Sequence, residues 1–218
     1  MQRYNIAKEG VSFVIPLIIL YILFFAFWKL YLSLIALVFL LFVCYFFRQP
    51  ERHVLYQGRS IISPAQGKVV RIDKRVEEEF LNEERLCVSI FLSVFDVHVN
   101  YAPCDGTVEK VLYKGGKFIN AMNDKASLEN EHASILIDTE KGKIVVRQIA
   151  GLIARRVVCH AKEGDKLKKG QKYGIIKFGS RVDIFLPTNF DIKAEIGEKV
   201  IAGLTEIAMM PAGDSLKK

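Results

Sequence analysis

Cysteine is scarce in this 218-residue chain. There are four, Cys44, Cys87, Cys104 and Cys159, with no C-x-x-C pair among them. That argues against a disulfide-stapled scaffold, and the thiols read as ordinary buried residues of a reducing compartment. The four histidines, His53, His98, His132 and His160, are scattered, so no metal site is expected. A basic stripe interleaved with aromatic residues is missing, which argues against a nucleic-acid partner despite the net charge of +7. Charge itself is nearly absent from one stretch: Val11 to Phe47 spans 37 residues with a single ionised side chain, Lys29. With 51% of its residues apolar, the chain is not disordered.

That apolar stretch is too long for a secretory signal, and it ends in Phe46-Phe47-Arg48-Gln49-Pro50, without a small-residue cleavage site. As one helix it would reach roughly 55 Å, well beyond the roughly 30 Å of bilayer hydrocarbon. Two passes fit better, Val11–Trp28 and Leu30–Phe47, with Trp28, Lys29 and Tyr31 at the hinge, where aromatic and snorkelling groups favour the interface. Residues 1–47 therefore read as a membrane-anchoring helical hairpin. Arg3 and Lys8 on one flank and Arg48 and Arg52 on the other put both ends, and the domain that follows, on the cytoplasmic side of the cell membrane. A shallow re-entrant wedge is the alternative, because each half is short and Pro16 interrupts the first.

Residues 48–218 suffice for one domain with its own core. Short alternating or β-branched runs dominate there: Lys68–Ile72, Leu86–Leu92, Val108–Leu112, Ser134–Ile137 joined to Lys143–Gln148 through Glu140-Lys141-Gly142, and Tyr173–Phe178. Asn120–Glu131 alone looks helical, and Lys74–Arg85 looks like a polar excursion. The expected fold is mainly β, a barrel or sandwich with few helices behind the hydrophobic hairpin. A short echo between Ser63–Val69 and Ala102–Val108 reflects two Pro-x-polar-Gly turns that each lead into a strand.

Six segments occur in order: Ser63-Pro64-Ala65-Gln66-Gly67, Asp96-Val97-His98-Val99-Asn100-Tyr101-Ala102-Pro103, Gly116-Lys117-Phe118-Ile119-Asn120-Ala121, Asp124-Lys125-Ala126-Ser127, Ala150-Gly151-Leu152-Ile153-Ala154-Arg155-Arg156 and Phe178-Gly179-Ser180-Arg181-Val182-Asp183. On these the chain resembles the phosphatidylserine decarboxylases, in particular the short membrane-associated group related to the archaeal enzymes. The resemblance implies a proenzyme that cuts itself between Gly179 and Ser180. The products are a larger β chain (1–179) and a smaller α chain (180–218), whose first residue becomes a covalently bound pyruvoyl group. It further implies that this group forms a Schiff base with the serine amine of phosphatidylserine and that phosphatidylethanolamine is released.

The chemistry suits the residue types. The Ser180 hydroxyl can attack the preceding carbonyl through a five-membered ring, turning an amide into an ester, and Gly179 tolerates the backbone angles this demands. Loss of the Ser180 α-proton then expels the ester, and hydrolysis leaves a ketone and ammonia. His98 is the candidate proton donor or base; the competing view is that it satisfies hydrogen bonds inside a strand. Arg155 and Arg156 are candidates for the lipid phosphate or the serine carboxylate, and strand alternation lets at most one of them enter a pocket. Asp183 can orient Arg181 or a proton donor; the competing role is a surface ion pair.

Two positions depart from the family's pattern. Gln66 stands where members usually carry Asp, and Tyr101 stands where longer bacterial relatives carry a second His. Asp105 or Asp96 is therefore a candidate maturation carboxylate, or His98 serves both maturation and turnover. A non-catalytic, membrane-tethered lipid binder and a lipoyl-like carrier modified on Lys125 are the rival readings. The phospholipid and the membrane are the expected partners; a homo-oligomer is left open.

Overall fold

The computed structural model describes residues 4–116, 129–151, 156–177 and 180–212. The chain forms two compact units, Met1–Glu51 and Arg52–Lys218.

In the first unit β1 (Tyr4–Ile6) and β2 (Arg48–Pro50) pair antiparallel, with Ile6 opposite Arg48, so the two ends of the apolar stretch lie side by side. Between them run α1 (Val11–Ala26) and α2 (Leu30–Phe46), which form the expected helical hairpin. Its base is tight. A Cβ on Gly10 would lie 2.6 Å from Phe47 Cγ, so only glycine permits the approach, and the Phe13 and Phe47 rings stack with centroids 5.5 Å apart. At the turn Trp28 takes a left-handed conformation, φ 56°, which reverses the chain. By length and composition Lys8–Ala26, 19 residues, can cross a bilayer, whereas Leu30–Phe46 has 17.

The second unit is mainly β, as the alternation leads one to expect. Its strands are β3 (Ser60–Ile62), β4 (Gly67–Glu77), β5 (Glu83–Leu92), β6 (Val99–Tyr101), β7 (Gly106–Lys114), β8 (His132–Thr139) and β9 (Gly142–Ala150), followed by β10 (Arg156–Cys159), β11 (Lys166–Leu167), β12 (Lys172–Lys177), β13 (Ser180–Leu186), β14 (Asp191–Ile192), β15 (Lys199–Val200) and β16 (Glu206–Met209). An eight-stranded antiparallel sheet has the order β11-β7-β8-β9-β13-β5-β4-β15, and two three-stranded sheets have the orders β10-β12-β6 and β14-β16-β3. The β8–β9 hairpin turns where the sequence suggested, with Gly142 at φ 124°.

Lys74–Arg85 is not an excursion. Its ends belong to β4 and β5, which pair down to Glu77 opposite Glu83, and only the tip between them leaves the ladder. The charges that made it look like a linker pair with one another, as Lys74 does with Glu84 at 3.8 Å. The tip folds because the Glu77 carboxylate accepts from the N–H groups of Glu79, Phe80 and Leu81 at 2.9–3.1 Å. Of the expected helix Asn120–Glu131, all but the last three residues lie outside the described residues.

Strand β13 is buried along its whole length because both faces of the large sheet are covered there. On one face Val182, Ile184 and Leu186 join Ile90, Ile135, Val146 and Ile176 in the main core. On the other, Phe185 packs with Cys87, Leu136 and Val145 beneath Phe80 and Leu81 of the tip.

Candidate active site

Ser180 opens β13, opposite Leu92 of β5 and Ala150 of β9. Alternation along the strand puts its side chain on the main-core face, and the residue is fully buried. Its Oγ has no hydrogen-bond partner among the described residues. Buried hydroxyls are nearly always bonded, so an orphaned one calls for an explanation. Strand β12 ends at Lys177 in a three-stranded sheet and β13 begins at Ser180 in the large one. The chain passes from one to the other through Phe178 and Gly179, which lie outside the described residues.

Strand β6 lies along β12, with Ile175 opposite Val99, and one step further the Ile176 N–H donates to His98 O at 3.2 Å. His98 therefore stands beside the strand that runs into the Gly179–Ser180 junction. The residue is fully buried and its Nδ1 lies 3.0 Å from Asp96 O. A carbonyl partner makes Nδ1 the proton-bearing nitrogen of the neutral ring.

Asn100 lies in β6, two residues after His98. Gln148 Nε2 of β9 donates to Asn100 Oδ1 at 2.8 Å, and both residues are fully buried. Gln148 stands opposite Val182, two steps from the Ala150–Ser180 pair. Asn100 thus meets Gln148 in the interior, Gln148 is a ladder diagonal from Ser180, and His98 lies two residues before Asn100, beside Ile176 of the strand that leads to the junction.

The opposite face of β13 carries charge. Arg181 Nε lies 2.9 Å from Asp183 Oδ1, and Asp183 stands opposite Arg147. Arg147 in turn reaches Glu77 Oε1 and Glu79 Oε2, each at 2.9 Å, while Glu79 also meets His132 Nε2 at 2.6 Å and accepts from Ser134 Oγ at 2.6 Å. Burial alone would push the Glu79 carboxyl up, but the His132 hydrogen bond, the Arg147 charge and the Ser134 hydroxyl outweigh it and hold it at about 2. The network clamps the β4–β5 tip onto the sheet behind Ser180.

Of the other candidates, Arg156 is exposed at the start of β10, opposite Lys177, and Arg155 lies outside the described residues. The Asp96 carboxylate accepts from Ser93 N and Ser93 Oγ, both at 2.8 Å, so it pins the turn before His98. Asp105 is not brought to Ser180. It lies exposed next to Gly106, at the Thr139–Gly142 end of the sheet, seven residue steps along β8 from His132, roughly 23 Å. A cavity of about 590 Å³ opens at that end, lined by Arg59, Asp105, Thr107, Asp138 and Lys141, and its lining includes neither Ser180 nor His98. Gln66 accepts from Arg52 Nη2 at 2.8 Å. Lys125, the carrier candidate, lies outside the described residues. Asn100 and Gln148 received no role from the sequence; the signal was a polar residue at an inward position of an otherwise apolar strand.

A family model described as phosphatidylserine decarboxylase matches residues 39–208 of the chain. A protein of Geobacter sulfurreducens named phosphatidylserine decarboxylase proenzyme is 46% identical over 170 residues, 78% of each chain. Proteins of the same name from Syntrophus aciditrophicus and Ralstonia pickettii are 46% identical over 200 residues and 44% identical over 204, covering 91% and 93% of this chain and 94% of each relative.

Proposed function

Because the chain belongs to the phosphatidylserine decarboxylase family, we propose that it removes carbon dioxide from phosphatidylserine, leaving phosphatidylethanolamine, after cutting itself between Gly179 and Ser180. The observation that carries this reading is the fully buried Ser180 Oγ, without a hydrogen-bond partner among the described residues, with buried His98 beside the strand that leads to it. The word proenzyme in the relatives' names agrees with a self-processing family.

A pyruvoyl group derived from Ser180 fits the residues present, because the orphaned hydroxyl sits at the head of a strand held from both sides by Leu92 and Ala150. When present, that group supplies a keto carbonyl that accepts the electron pair released as carbon dioxide leaves. The chain's own residues do the rest. The Ser180 hydroxyl attacks the Gly179 carbonyl carbon in the self-cleavage, and burial keeps water from competing. His98, with Nδ1 fixed on Asp96 O, takes the Ser180 α-proton during maturation and returns a proton to the substrate carbon during turnover. Arg156 or Arg155 offers a guanidinium fork to the lipid phosphate.

Residues 1–47 tether residues 48–218 to a membrane, on the cytoplasmic side by the placement of Arg3, Lys8, Arg48 and Arg52. The test is product formation by the full chain in mixed micelles containing phosphatidylserine. Phosphatidylethanolamine is expected from the wild type and none from Ser180→Ala. Full activity of Ser180→Ala would exclude the reading.

A further inference from the structure

Ser180 Oγ is not the only orphan in this layer of the core. Gln148 is fully buried, and its Oε1 has no hydrogen-bond partner among the described residues. The direction of the amide chain explains why an acceptor is left over. Asn100 Nδ2 points to Pro64 O at 3.5 Å, which turns Asn100 Oδ1 toward Gln148 and engages Gln148 Nε2 as the donor at 2.8 Å. Each amide nitrogen thereby has an acceptor, and the Gln148 oxygen remains.

The space for this carboxamide is specifically provided. A Cβ on Gly174 would lie 2.5 Å from Val158 O, 2.7 Å from Gln148 Nε2 and 3.2 Å from its Oε1, so glycine serves both the close β10 backbone and the amide. Gln148 stands opposite Val182 and Ala150 opposite Ser180, which makes Gln148 and Ser180 diagonal neighbours on one face of the β9–β13 ladder. Diagonal neighbours lie roughly 7–8 Å apart, within reach of a long side chain. A hydroxyl that lacks an acceptor and a carboxamide oxygen that lacks a donor share one water-poor layer.

We propose that Gln148 is the positioning residue of self-cleavage: its Oε1 accepts the Ser180 Oγ–H and turns the oxygen lone pair toward the carbonyl carbon of Gly179. In this first step the Oγ–C bond forms, the Gly179–Ser180 C–N bond breaks and the hydroxyl proton ends on the Ser180 nitrogen; the chains part when the Ser180 α-proton is lost and the ester leaves as a carboxylate. The proposal rests on the self-cleavage proposed above and adds the residue that aims the nucleophile. Gln148 never becomes covalently involved.

The test follows conversion of freshly synthesised full chain, in detergent micelles, into its two fragments by denaturing gel and intact mass. Gln148→Met is expected to slow cutting at least about tenfold, as loss of alignment does. Gln148→Glu, which keeps an oxygen acceptor, is expected to recover most of the rate. Folding is compared in a Ser180→Ala background, where every chain stays uncut, and Gln148→Met is expected to leave the unfolding midpoint there within a few degrees. Should Gln148→Met fail to fold, Gln148→Asn, with the same chemistry on a shorter stem, is expected to slow cutting in its place. Wild-type cutting rates in Gln148→Met or Gln148→Asn would overturn the role, as would equal slowing in Gln148→Met and Gln148→Glu. A wild-type chain that is never cut would instead overturn the proposed function itself.

Discussion

Arg52 Nη2 donates to Gln66 Oε1 at 2.8 Å, and the same guanidinium hydrogen-bonds Tyr101. Burial pushes the Tyr101 hydroxyl up while Arg52 pulls it down. The two positions that the resemblance marks as departures, Gln66 and Tyr101, are therefore joined through one cation. Neither can act as a base near neutral pH, and Arg52 links β4's leading turn to the end of β6.

This arrangement decides what restoring the acid would do. In Gln66→Asp the new carboxylate would face Arg52, which holds it ionised and well below the range near 7 that suits a general base. The rate of chain cutting is expected to change by less than about twofold, read as the fraction of uncut chain against time. A large acceleration would show that a carboxylate at this position drives maturation.

His98→Ala removes the proposed proton-exchanging group beside the strand that leads to Ser180. Carbon dioxide release per cut chain is expected to fall by about a hundredfold or more, the usual contribution of general acid–base catalysis. A variant that loses less than about threefold would assign His98 to strand hydrogen bonding alone.

The clamp behind β13 predicts a pH effect on stability. The Glu79 carboxyl sits at about 2 in the folded chain against 4.5 for the free group. Its contribution is therefore complete above about 4.5 and is lost as pH falls through about 2. The unfolding midpoint is expected to drop on acidification through this window, and to drop less in Glu79→Gln. Arg147→Met strands the buried Glu77 and Glu79 carboxylates and is expected to cost about 3–5 kcal/mol, measured by denaturant unfolding.

After the cut, the fragment beginning at Ser180 still contributes the strand between β5 and β9, together with β15 on β4 and β16 on β3. Both fragments are expected to travel together in gel filtration and to separate only in denaturant. Free release of the smaller one under native conditions would mean that β13 is not held as described.

The β class and the helical hairpin were legible because period-two alternation and an almost uncharged 37-residue run are local signals. Lys74–Arg85 misled because charge was taken as a sign of a linker, whereas Lys74 and Glu84 lie on a long hairpin and pair across it. The Gly179–Ser180 junction and His98 were singled out through resemblance alone, since no local property distinguishes one Gly-Ser pair. Asn100 and Gln148 were not, because they meet only once β6 and β9 are stacked, 48 residues apart in sequence. Arg147, Glu79 and His132 were hidden for the same reason. Asp105 seemed a suitable carboxylate by composition, and the register of β7 on β8 places it at the wrong end.

An intact-mass spectrum of the purified full chain bears most directly on all of this. Two components are expected, residues 1–179 and residues 180–218, the smaller with a blocked N-terminus in which a keto group replaces the Ser180 amine and hydroxyl. A single component with the mass of all 218 residues, its Ser180 unmodified in a preparation that forms phosphatidylethanolamine, would refute the mechanism.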